Sequence, residues 1–110
     1  MLRVTVPYHS HFLKSAALQF AKLVYTLDIR SLKTPVISIL TQEILHSPED
    51  IKAELVENLY KHFNWHKNQL KLMDIGVTRF IECGPGKSLK KNARTIEGDY
   101  QCESMDEILL

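Results

Sequence analysis

Residues 72–89 read LMDIGVTRFIECGPGKSL. Leu72 to Ile75 closes an amphipathic run, and Gly76 suits the left-handed residue that ends a helix. Val77 to Cys83 then reads as a short buried strand. Gly84-Pro85-Gly86 makes a tight turn, and Lys87 to Ile96 has helical character. Helix, strand, turn, helix is the signature of a parallel sheet built by crossovers. GPGKS also invites comparison with a phosphate loop. That pattern needs a glycine five positions before Gly86, where Ile81 stands, so a close-packed strand–turn–helix corner is the expectation.

The same alternation extends outward. Asn64 to Ile75 is the helix that Gly76 ends. Before it, Ser47-Pro48-Glu49-Asp50 is a helix start: a hydroxyl cap, a proline for the first helical position, and acids at the positive end of the helix dipole. Ile51, Leu55 and Leu59 form the stripe that follows. Val36 to Leu40, after Pro35, reads as a buried strand. From Ser10 the apolar positions Leu13, Ala16, Ala17, Phe20, Val24 and Leu27 recur at helical spacing. Leu2 to Val6 alternates as a strand ending at Pro7. Beyond Ile96, Gln101 to Ser104 suits a last short strand and Met105 to Leu110 a helical turn. The expected class is α/β, with short parallel strands alternating with amphipathic helices and both sheet faces covered. Three or four strands leave such a sheet poorly protected at its edges, which suggests part of a larger fold.

Composition narrows the function classes. The chain has 110 residues, 45% hydrophobic and 25% charged, with a formal net charge of +1; this is one globular domain at most and not a disordered chain. Lys87, Lys90, Lys91 and Arg94 cluster without interleaved aromatics, so no nucleic-acid partner is expected. No apolar run approaches the roughly 20 residues that span a bilayer, and no signal peptide opens the chain. A cytoplasmic protein with no membrane partner, and with Cys83 and Cys102 reduced and at least half-buried, is the expectation.

Chemistry concentrates at Pro7-Tyr8-His9-Ser10-His11-Phe12-Leu13. His9 and His11, two apart after a strand, fit a metal clamp, a general base at the carboxyl end of a parallel strand, or a polar loop. A barrel hydrolase with this motif needs about 250 residues and further ligands. His62 and His66 are four apart, but HFNWH has no glutamate after its first histidine, so the metalloprotease mechanism fails. No G-x-S-x-G nucleophile elbow exists in the chain.

Taken in order, VPYHSHFL with its long helix, TPVISIL, ELVENLYKHFNWHK and LMDIGVTRFIECGPGKSL resemble the C-terminal part of a malonyl-CoA:acyl carrier protein transacylase, over about 95 residues from Val4. These are the acyltransferases of fatty-acid and polyketide biosynthesis. The resemblance implies residues 1–110 as a single piece of the α/β-hydrolase-like large subdomain, without the N-terminal part that bears the nucleophile and without the ferredoxin-like subdomain. It implies His9 as the catalytic general base and the main-chain carbonyl of Asn58, in LVENLY, as the group that orients it. His11 falls on a variable position, with at most a place at the pocket rim. No metal and no cofactor are implied; malonyl-CoA is the substrate. The implied partners are an acyl carrier protein, the acyl-CoA and the remaining part of the acyltransferase. A catalytically inactive interaction module and an acyl hydrolase of the same family are the alternatives. Two departures from the family pattern stand out. N-P-V-x-W becomes Lys61-His62-Phe63-Asn64-Trp65, which reshapes the loop beside His9, and the polar pair after the buried proline becomes Ser38-Ile39-Leu40.

Overall fold

The computed structural model describes residues 5–109, which fall into two compact units, Met1–Asn64 and Trp65–Leu110. The strand expected over Leu2 to Val6 lies outside the described residues up to residue 4; Thr5 and Val6 form a bend.

In the first unit, a 3-10 turn over His11–Leu13 leads into α1, Lys14–Val24. The expected helix is thus shorter at both ends. Ser10 does not cap it; its hydroxyl donates back to the Pro7 carbonyl at 2.6 Å. Past Val24, the amides of Thr26 and Leu27 reach only to the carbonyls of Leu23 and Val24, which tightens and ends the helix. α2 spans Pro48–Glu57 behind a complete capping box: Ser47 accepts from the Asp50 amide, and Asp50 accepts from the Ser47 amide. Amides of His46, first, and Ser47 hold the Asp50 carboxyl below the usual carboxylate range. α1 and α2 pack around Ala17, Val24 and Val56, flanked by Ala21, Leu59 and Tyr60. The expected faces are corrected here. Val56 is buried where Leu55 was expected, and Ala16, Phe20 and Leu27 stay exposed.

The strand expected over Val36 to Leu40 is corrected too. Only β1, Val36–Ile37, is extended, and it pairs antiparallel with β2, Ile44–Leu45. Ser38 causes the early stop. Fully buried, it donates through its hydroxyl to Glu54 of α2 at 2.6 Å and accepts from the amides of Leu40 and Thr41. The second Glu54 oxygen accepts from the Ile39 amide at 2.9 Å. Glu54 therefore pins the turn to α2.

The second unit holds α3, Trp65–Asp74; β3, Arg79–Glu82; α4, Ser88–Ala93; β4, Gln101–Ser104; and α5, Met105–Leu109. Gly76 takes φ +95°, as its reading required. The amides of Gly76 and Val77 close the helix end on the carbonyls of Met73 and Leu72. β3 and β4 run parallel, in register from Arg79 against Gln101 to Glu82 against Ser104, with α4 as the crossover. Among the described residues the expected single parallel sheet is replaced by two two-stranded sheets, one antiparallel and one parallel. Nor is β3 buried: Ile81 is 41% exposed.

Candidate active site

The site is built from the end of α2. Carbonyls past the last helical turn run out of helical donors, and here two of them turn to one residue. The His9 amide donates to the Leu59 carbonyl at 2.9 Å. The His9 ring places Nδ1 2.7 Å from the Asn58 carbonyl. A carbonyl only accepts, so Nδ1 carries the proton, and in the neutral ring Nε2 is left with a free lone pair.

This double attachment constrains the backbone. His9 sits at φ +60°, in the left-handed region that costs a side-chain-bearing residue roughly 1–2 kcal/mol. The Tyr8 amide reaches back to the Val6 carbonyl at 2.9 Å, and Leu13 to Ser10 at 3.1 Å. Strain of this kind persists where surrounding bonds over-determine a residue, as at functional loops. Phe63 meets the imidazole edge-on, with ring centroids 4.4 Å apart and planes at 77°, a favoured aromatic arrangement. The residue that departs from the family pattern thus lies directly against His9.

His11, two residues on, is exposed, and its ring lies against Phe12 at 4.1 Å. Geometry therefore brings together His9, Asn58, Leu59 and Phe63, and leaves His11 outside. Sequence reasoning missed the Leu59 carbonyl and the left-handed backbone. Neither has a side-chain signature, although Tyr8-His9-Ser10 after a proline carries turn character.

The other candidates fall elsewhere. His66 lies on α3 while His62 precedes it, so they do not share a helix face; both are exposed. No three His, Cys, Asp or Glu side chains gather in metal-binding geometry among the described residues. At GPGKS the position an anion would take is filled. The Glu82 carboxylate accepts from the amides of Leu89 and Lys90, each at 3.0 Å. Those bonds, Lys90's first, hold its carboxyl below the usual range. Cys83 and Cys102 are free thiols; Cys83 is exposed, against expectation, and burial raises Cys102. No helix among the described residues is long and apolar enough to cross a membrane.

No family model matches the chain. It is 39% identical over 88 residues to a Bacillus subtilis malonyl CoA-acyl carrier protein transacylase, covering 80% of this chain and 28% of that protein. It is 34% identical over 110 residues to the Haemophilus influenzae transacylase of the same name, covering 97% and 34%. A solved structure of a type II PKS acyl-carrier protein in complex with its malonyl-transacylase superposes with a TM-score of 0.88 at 27% identity, over 94% of this chain and 34% of the other. The chain spans about a third of the length of the curated relatives it matches. In sequence and in fold it resembles a C-terminal portion of a malonyl CoA-acyl carrier protein transacylase, an acyltransferase family.

Proposed function

We propose that this chain furnishes the general base of a malonyl-CoA:acyl carrier protein transacylase site. The observation that carries the reading is the 2.7 Å contact between His9 Nδ1 and the Asn58 carbonyl. It fixes the tautomer in which Nε2 accepts a proton, with a neutral orienter in place of a carboxylate. The nucleophile, a serine, belongs to the part of the transacylase outside this chain. Nε2 takes the serine proton as its oxygen attacks the malonyl thioester, then gives that proton to the departing CoA sulfur. In the second half it takes the proton of the carrier-protein thiol as that sulfur attacks the serine ester, and returns it to the serine oxygen. The chemistry calls for no cofactor and no metal.

The parallel β3–α4–β4 crossover supports placing residues 1–110 in an α/β-hydrolase-like subdomain. The solved complex of a malonyl-transacylase with its carrier protein supports an acyl carrier protein as partner. Fatty-acid or polyketide biosynthesis in the cytoplasm is the setting this proposal implies. Joined to the remaining two-thirds of a transacylase, the assembly should load malonyl groups onto a carrier protein. His9→Ala should then slow transfer by about 10²–10⁴-fold, and His11→Ala should leave it near the unsubstituted rate. The reverse ranking sinks the assignment.

A further inference from the structure

Among the described residues the His9 ring is held by one hydrogen bond, donated by Nδ1 to the Asn58 carbonyl at 2.7 Å. A carbonyl oxygen accepts over a broad range of directions, and the outer torsion of a histidine side chain is broad as well. One such bond fixes a point on the imidazole and leaves its plane to swing about that point. Nε2 stands across the ring from Nδ1, so a swing that barely stretches the bond carries Nε2 sideways. A carboxylate would grip the ring with a charge-assisted bond roughly twice as strong. A main-chain carbonyl does not, and the plane needs a second restraint.

Two aromatic rings stand beside the imidazole. Tyr8 is 56% exposed, with its centroid 6.4 Å away and its plane tilted by 49°. Phe63 is closer, at 4.4 Å and 77°. At that separation a rotation of the imidazole either drives it into the facing ring or opens a gap that forfeits the contact. The local chain brings Phe63 there. Past α2 the amides of Tyr60 and Lys61 both donate to the Glu57 carbonyl, at 3.1 and 2.8 Å, so the chain stays wound just beyond the Asn58 and Leu59 carbonyls. Phe63 follows and is half-buried, while His62 and Asn64 on either side of it are exposed. One short stretch thus delivers both the acceptor for the His9 ring and the ring that lies against it.

We propose that Phe63 is a positioning residue for His9: its ring fixes the imidazole plane, and with it the direction in which Nε2 accepts a proton. The use of that direction in acyl transfer rests on the transacylase reading; the restraint on the ring does not.

The test has two arms. In the first, the 110-residue chain is isotope-labelled at its histidine ring nitrogens, and nuclear magnetic resonance reads the tautomer of His9, assigned by the signals lost in His9→Gln. The unsubstituted chain should show the Nδ1–H form. Phe63→Leu should raise the share of the Nε2–H form by about three- to tenfold, the equilibrium equivalent of one aromatic pair. Phe63→Tyr should match the unsubstituted chain. Protection of the Asn58 amide, which donates to the Glu54 carbonyl, reports that α2 is intact. Where Phe63→Leu loses that protection, the more adaptable Phe63→Met replaces it with the same expectations.

In the second arm the chain is joined to the remaining two-thirds of a transacylase. Phe63→Leu should lower kcat for malonyl transfer by about three- to tenfold and leave KM for malonyl-CoA within about twofold, because a misdirected base is felt in the transition state and not in substrate binding. A tautomer unchanged in Phe63→Leu overturns the inference, as does an unchanged kcat in an assembly that depends on His9. So do a Phe63→Tyr variant that behaves like Phe63→Leu and a mixture of tautomers already present without substitution. An assembly that loads no malonyl group, or loads it equally well with His9→Ala, sinks the transacylase reading instead, and the tautomer arm still decides what Phe63 does.

Discussion

His9 concentrates three demands on one residue: a left-handed backbone, an amide held by Leu59 and a ring held by Asn58. The backbone cost can be isolated by comparing two variants that both lack the ring. His9→Gly should be more stable than His9→Ala by about 1 kcal/mol, because glycine adopts φ +60° without a Cβ penalty. Urea unfolding of the two proteins checks it, and equal midpoints would show that the turn relaxes. Glu54 is the other residue on which local order depends. Its two oxygens hold the Ser38 hydroxyl and the Ile39 amide, so Glu54→Ala leaves a buried hydroxyl short of an acceptor. A loss of about 2 kcal/mol is expected. Amide exchange at Ile39 and Leu40 should rise with it, while that of the second unit stays unchanged.

Among the elements, α5 is tied to α4 and its preceding loop through Glu107, which meets Lys90 and, at 2.9 Å, Lys87. Lys90, then Lys87, push the Glu107 carboxyl down to about 2. The stabilisation from a depressed carboxylate is fully present above its ordinary range near 4.5 and is lost as pH falls toward about 2. Thermal melts from pH 7 down to pH 2 (roughly the window those values define) should therefore fall less steeply in Glu107→Gln than in the unsubstituted protein. Both groups of each pair are partly exposed, so salt should narrow the difference. How legible each element was follows from how local its causes are. Ser47-Pro48-Glu49-Asp50 and Gly76 carry their own instructions within a turn, and the structure places the caps of α2 and α3 there. Val36 to Leu40 does not. Its strand breaks at Ser38 because of Glu54, a partner 16 residues away. Apolar content likewise marked β3 as a strand but not as an exposed one, since exposure depends on what lies alongside.

Across the whole chain, the apolar side chains buried among the described residues are small or few: Ala17, Val24 and Val56 in one unit, Ala93 and Ile96 in the other. Phe12, Leu18, Leu23 and Tyr25 are more than half exposed. The His9 site was legible only by resemblance, because its partner lies 49 residues away and acts through the main chain. With no G-x-S-x-G elbow in its sequence, the chain on its own is expected to gain no malonyl adduct from malonyl-CoA. Intact-mass spectrometry after incubation checks this, and a stable acyl ester on any of its side chains would refute it.

Because the group that steers His9 is a peptide carbonyl, position 58 is free to drift. Glutamine, asparagine or alanine there presents the same oxygen as long as α2 ends where it does. Inheritance of the His9–Asn58 contact is thus stored in where a helix ends, and an alanine substitution at position 58 is blind to it. Chemistry on the main chain itself tests it directly. Replacing Leu59 by its α-hydroxy acid turns the Asn58 carbonyl into an ester, a weaker acceptor, with every side chain kept.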